Sequence, residues 1–98
     1  MTCDTSSASS LLKILGNKDR LRVLCHLVDG EKSVGAMEQA LHIRQTTLSQ
    51  HLARLRHEGL VDARRDGQHV YYRLVSSASH KMLGLLHALY CEPPAATV

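Results

Sequence analysis

The apolar residues of this chain change their period once, and that change limits the fold more than any other feature. Up to Leu55 they recur at helical spacing. From Val70 to Leu74 they alternate with Tyr71 and Arg73, which is a strand period. Between the runs Leu60–Arg65 and Gln68–Leu74 stands Asp66-Gly67. Asp-Gly suits a two-residue hairpin, because such turns need positive φ at their centre. The chain therefore reads as several helices, one hairpin and a last helix.

The helices can be placed from their boundaries. Leu11, Leu12, Ile14 and Leu15 make a short apolar helix that stops near Gly16, after a frayed segment over residues 1–8. Asn17 reads as the cap of a second helix, with Leu21, Leu24, Cys25 and Val28 on its buried face and Asp29-Gly30 at its end. Ser33 caps a third, with Met37, Ala40 and Leu41 inward and Glu31 and Glu38 solvated. After a brief turn at 42–44, a longer helix over Gln45–His57 carries Leu48, Leu52 and Leu55 on one stripe. Ser76 or Ser77 caps a final helix running to Tyr90, apolar on nearly all sides. A helix of that kind needs more cover than one small core provides, so it and the first helix are expected to form a homodimer interface. The expected layout is a flexible 1–8, one domain over 9–92 and a flexible 93–98.

Composition supports this reading. With 98 residues there is room for one domain. Three tyrosines are the only aromatics, so the core is aliphatic. No apolar run reaches the length of a membrane span, and no secretory leader is visible, so the expected setting is cytoplasmic with no membrane partner. An odd cysteine count of three argues against a disulfide framework. The net charge of +3 is unevenly spread. Between Gln39 and Val75 lie six arginines, no lysine and three acids, while the rest of the chain balances. Arginine makes planar, bidentate bonds to phosphate and to guanine edges.

Two short helices, a tight turn and a hairpin with arginine at its tip describe a winged helix-turn-helix, mainly α with a two-stranded wing and five helices. On a wheel of the 45–57 helix, Thr46, Gln50, Ala53, Arg54 and His57 lie opposite the leucine stripe, flanked by Thr47 and Ser49. An ordinary solvated face would be rich in Glu and Lys; this one has no acid before Glu58. Gln45, Thr46, Thr47, Ser49, Gln50 and Arg54 are thus candidate readers of base edges, those near the helix start reaching deepest. His51, beside the leucine stripe, reads as a half-buried structural residue. Arg64, Arg65 and Gln68 at the hairpin tip are candidates for phosphate or minor-groove contact.

The stretch NKDRLRVLCHL and the run TTLSQHLARLRHEGLVDARRDGQHVYYRL resemble the ArsR family of bacterial transcriptional repressors over residues 10–91. The resemblance implies a homodimer joined through its first and last helices. It also implies binding of double-stranded operator DNA, and release when an inducer binds or modifies the protein. Arsenic-sensing members carry a Cys-x-Cys-type site at the helix before the recognition helix; here SVGAMEQAL has no cysteine. Zinc-type members use pairs of ligands on the last helix; here His80 and His87 stand without their carboxylate and second partner. No metal site is therefore assigned, although a metal-responsive repressor remains the alternative, with His80, His87 and Cys91 as its candidates.

The placement of Cys25 and Cys91 resembles the dithiol subgroup of the family, the BigR- and SqrR-like regulators that sense persulfides and related oxidants. The resemblance implies that this pair bridges within one subunit and that DNA affinity then falls. Read from residues alone, Cys25 is equally a small core hydrophobe, and the distance between the two sulfurs is open. The inducer would be a small reactive sulfur species or oxidant, with no cofactor. His87, one turn before Cys91, is a candidate to tune it, or else a lining residue of the interface. Cys3 receives no role. A small thiol oxidoreductase is the weakest alternative, since Cys-x-x-Cys and its βαβ setting are missing, and no hydrolytic triad or phosphate loop points to another enzyme.

Overall fold

The computed structural model describes residues 2–91. Its elements run α1 (Thr5–Leu15), α2 (Lys18–Leu27), β1 (Lys32–Ser33), α3 (Val34–Leu41), α4 (Gln45–His57), β2 (Val61–Asp66), β3 (His69–Leu74) and α5 (Ser77–Tyr90).

Short polar side chains set most of the helix starts. Asn17 Oδ1 accepts from the Arg20 amide at 3.0 Å, Ser33 Oγ from Ala36 at 3.1 Å and Ser76 Oγ from Ser79 at 3.1 Å. Each satisfies a backbone N–H that the first turn leaves without a partner. The same device moves the start of α1. Asp4 accepts from the Ser7 amide at 3.1 Å and from the Ser7 hydroxyl at 2.7 Å. The helix therefore begins at Thr5, inside the segment expected to be frayed. Residues 93–98, expected to be flexible, lie outside the described residues.

Two arginines of the NKDRLR stretch are used internally. The Arg20 guanidinium donates to the carbonyls of Ile14 and Lys13, closing the end of α1. Arg22 donates to the Leu41 carbonyl at the end of α3, where His42 turns the chain in the left-handed region at φ 55°. Basic charge in this half of the chain holds helix ends together.

The wing has one strand more than expected. β2 and β3 pair antiparallel from Val61↔Leu74 to Asp66↔His69, turning at Gly67 with φ 63°. The short β1 adds to the other edge of β3, Ser33 opposite Tyr71, giving the order β1-β3-β2. Ser33 both ends β1 and caps α3, so the sheet is tied directly to the helix-turn-helix.

The aliphatic core lies between the sheet and the helices, built from Val23, Leu24, Leu27, Met37, Leu48, Leu52, Leu55, Val61 and their neighbours. Two expected core positions differ. On α2 the buried residues are Val23, Leu24 and Leu27, while Cys25 is exposed and Leu21 and Val28 are half-buried. α2 packs against α1, α3, α4 and β3, and its buried arc is centred about one residue away from the stripe that would include Cys25. Ala40 is exposed and Glu38 half-buried, because α3 meets the core mainly through Met37 and Leu41. α5 is fully buried only at Ser79 and Leu83. Leu85, Leu89 and Tyr90 of α5, with Leu12 of α1, stay more than half exposed.

Candidate nucleic-acid interface and dithiol cleft

α4 spans the residues expected from sequence, and its leucines 48, 52 and 55 are buried. That burial aims the opposite face outward. Gln45, Thr46, Ser49, Gln50 and Arg54 are exposed, and Thr47 and His51 are half-buried. Among the described helices α4 alone has no side-chain cap: Arg44 stands at its N-cap and makes no capping bond. Its first amides are thus open to an outside acceptor such as a phosphate oxygen. Arg54 is partly engaged, its Nε 3.5 Å from Glu58. An exposed pair of this kind is weak and exchanges readily for a phosphate or base edge.

Between α4 and the wing runs a cleft lined by Ser33, Val34, Gln45, Ser49, Gln68, Val70 and Tyr72. Gln68 thereby stands across from the start of α4. Arg64 and Arg65 are exposed on β2, but Arg64 is held by a bidentate pair to Glu31. That guanidinium keeps the Glu31 carboxyl below its ordinary range, and Glu31 in turn raises Arg64.

A second cleft, of about 270 Å³, lies between α2 and α5 and is lined by Leu21, Cys25, Leu86, His87, Tyr90 and Cys91. Both cysteines of the expected pair line it, together with an almost wholly apolar wall. Cys25 also borders an adjoining cleft with Val28, Asp29, Leu83, Gly84 and His87. Desolvation raises the Cys25 thiol above its ordinary value, and the nearby negative charge of a Cys91 thiolate adds to the rise. Thiolate formation at Cys25 is thus disfavoured at neutral pH. All three cysteines are free in this structure. Cys3 precedes α1 and lines neither cleft. Among the described residues, no three His, Cys, Asp or Glu side chains gather as a metal site would require. No described helix is long and apolar enough to cross a membrane.

A helix-turn-helix whose second helix presents uncharged polar groups and arginine, beside an antiparallel wing, defines the winged helix-turn-helix class of DNA-binding regulator. Residues 17–63 match the sequence model of the bacterial regulatory protein, arsR family. The chain is 46% identical to the transcriptional activator HlyU of Vibrio cholerae over 92 residues, covering 94% of this chain and 85% of that protein. It is 45% identical to the biofilm growth-associated repressor of Agrobacterium fabrum, covering 85% of this chain and 71% of that one. The solved structure of reduced HlyU from Vibrio cholerae superposes with a TM-score of 0.88, covering 91% of this chain and 94% of that chain at 46% identity. The repressor BigR from Xylella fastidiosa superposes at 0.86 and 38% identity, covering 91% of each chain. The chain belongs to the ArsR family of DNA-binding transcriptional regulators, a family of regulators rather than enzymes.

Apart from Arg64, which Glu31 holds, the expected site residues thus fall into two places, the α4–wing face and the α2–α5 cleft. Sequence reasoning missed Glu31, Leu21, Leu86 and Tyr90. Glu31 carries no local signal of its partner 33 positions away. The three apolar residues were legible as apolar but not as the walls of one cleft.

Proposed function

We propose that the chain is a homodimeric cytoplasmic repressor that binds operator DNA and loses affinity when Cys25 and Cys91 are oxidised or persulfidated. The observation that carries this reading is the shared apolar cleft holding both cysteines between α2 and α5. Two relatives named as repressors favour repression over activation, although another is named an activator. The exposed apolar residues Leu12, Leu85, Leu89 and Tyr90 support pairing of two chains through α1 and α5. Gln45, Thr46, Thr47, Ser49, Gln50 and Arg54 would reach base edges, and Gln68 the backbone beside the wing.

The chemistry balances without a cofactor. A small persulfide RSSH passes its outer sulfur to a cysteine thiol, leaving Cys–SSH and RSH. Two such groups condense to Cys–S–S–S–Cys with release of hydrogen sulfide. A peroxide ROOH instead takes the two thiols to a disulfide, giving ROH and water. Either bridge ties α5, and with it the paired face, to α2. A hundredfold loss of operator affinity needs only about 2.7 kcal/mol of difference between the two states.

The test is the intact mass of the reduced protein after treatment with a persulfide donor, with peptide mapping and operator binding measured on the same sample. A Cys25–Cys91 bridge with weakened binding is the expected result. Cys25→Ser should bind the operator and ignore the inducer; a normal response from that variant would refute the switch.

A further inference from the structure

Arg64 and Arg65 are adjacent and look alike in sequence, but the strand pleat sends them to opposite faces of the wing. Arg65 lies across from Val70, on the pleat face whose Val61, Tyr72 and Leu74 pack against the core with the leucines of α4. Directly opposed residues share a face, so Arg65 stands on the side of the sheet that fronts the recognition helix. Arg64 lies across from Tyr71 on the other side, together with the Asp62–Arg73 and Asp66–His69 pairs.

That other face neutralises itself. Arg64 Nε and one terminal nitrogen reach the two Glu31 oxygens at 2.9 and 2.7 Å. Its guanidinium carbon stacks 4.5 Å from the Tyr71 ring centre, and Asp66 lies 3.9 Å away. Arg73 and Asp62 face each other at 4.0 Å. Three acids thus meet two arginines, which leaves no positive excess to attract phosphate. Glu31 sits immediately before β1, and β1 runs straight into α3. The Glu31–Arg64 pair therefore spans the sheet from the β1 side to β2, across β3, and fixes the wing relative to the helix-turn-helix.

We infer that Arg64 is a positioning residue that braces the wing through Glu31 and Tyr71, and that Arg65 makes the wing's phosphate contact. This rests on DNA binding through α4 and the wing. Arg65 contributes counterion release; Arg64 contributes geometry only. The two roles differ in how binding responds to salt, because each phosphate neutralised steepens the dependence of log K on log salt by about 0.9.

The experiment measures binding of the full chain to a mixed-sequence DNA duplex by fluorescence anisotropy across a salt series. Arg65→Ala should shallow the slope by about 0.9 for each phosphate it leaves unneutralised. Arg64→Ala should keep the wild-type slope and weaken binding about two- to fivefold, the range of one good surface pair. Glu31→Asp keeps the charge but shortens the reach by one methylene. It should reproduce the Arg64→Ala loss and add nothing in an Arg64→Ala background. A slope change in Arg64→Ala equal to that of Arg65→Ala overturns the assignment. So does wild-type affinity in both Arg64→Ala and Glu31→Asp. A wild-type protein that shows no salt-dependent binding overturns the underlying DNA-binding reading as well, so the two failures are distinguishable.

Discussion

Replacing Leu83 by alanine tests whether core packing and thiol chemistry are coupled. Leu83 is the one apolar side chain that α5 buries fully, at 1% exposure, with Met82 and Leu86 only half-buried beside it. Leu→Ala in a core costs about 2–5 kcal/mol. Leu83 borders an open cleft, so its surroundings can relax, and about 3 kcal/mol is the expected loss. The loss falls first on the docking of α5, which buries only Ser79 and Leu83 fully, and multiplies its undocked population by roughly a hundredfold. Cys91 ends α5, so its encounter with Cys25 falls with docking. Thermal unfolding followed by circular dichroism should show Tm lower by at least about 12 °C. Mass spectrometry after oxidant treatment should show less intramolecular bridge and more single adducts. Leu83→Met, which keeps the volume, should stay close to wild type on both counts. A Leu83→Ala protein that bridges as fast as wild type would show that α5 docking does not govern the encounter of the two thiols, and the proposed coupling would fall.

Other outcomes follow from single features. Gln50→Ala and Arg54→Ala, on the exposed face of α4, should each weaken operator binding by about 1–3 kcal/mol with little change in Tm; unchanged affinity would remove them from the interface. Gly67→Ala forces a side chain onto φ 63° and should destabilise the fold by about 1–2 kcal/mol through backbone strain, since nothing lies within 4 Å of the new Cβ; an unchanged denaturant midpoint would contradict this. Burial raises the Cys25 thiol above its ordinary value, so its contribution to stability is present below the ordinary thiol range and lost as pH climbs through the folded value. The alkaline fall in stability should therefore be smaller in Cys25→Ser, and equal falls in the two proteins would refute it.

Local chemistry was readable one residue at a time. Asn17 and Ser33 cap the helices assigned to them, Asp66-Gly67 turns the wing, and the leucines at 48, 52 and 55 aim the polar face of α4 outward. Each depends on contacts within a few positions, where spacing and side-chain type decide the conformation. The exceptions were local too: Asp4 starts α1 early by binding Ser7, a capping signal passed over beside a run of small polar residues.

Period, caps and motif settle the order and type of the helices, the hairpin, the exposed polar face of α4 and the family, and all of these are written in the chain. Packing between elements settles the rest. It turns one side of α2 inward, so that Cys25 opens onto a cleft shared with Cys91. It adds a third strand to the wing, and it lets Glu31 claim Arg64 but not its neighbour. The physical reason is common to all three. Burial and ion pairing are settled between elements far apart in the chain, and a one-residue rotation of a helix or pleat of a strand reverses which side chain faces which partner.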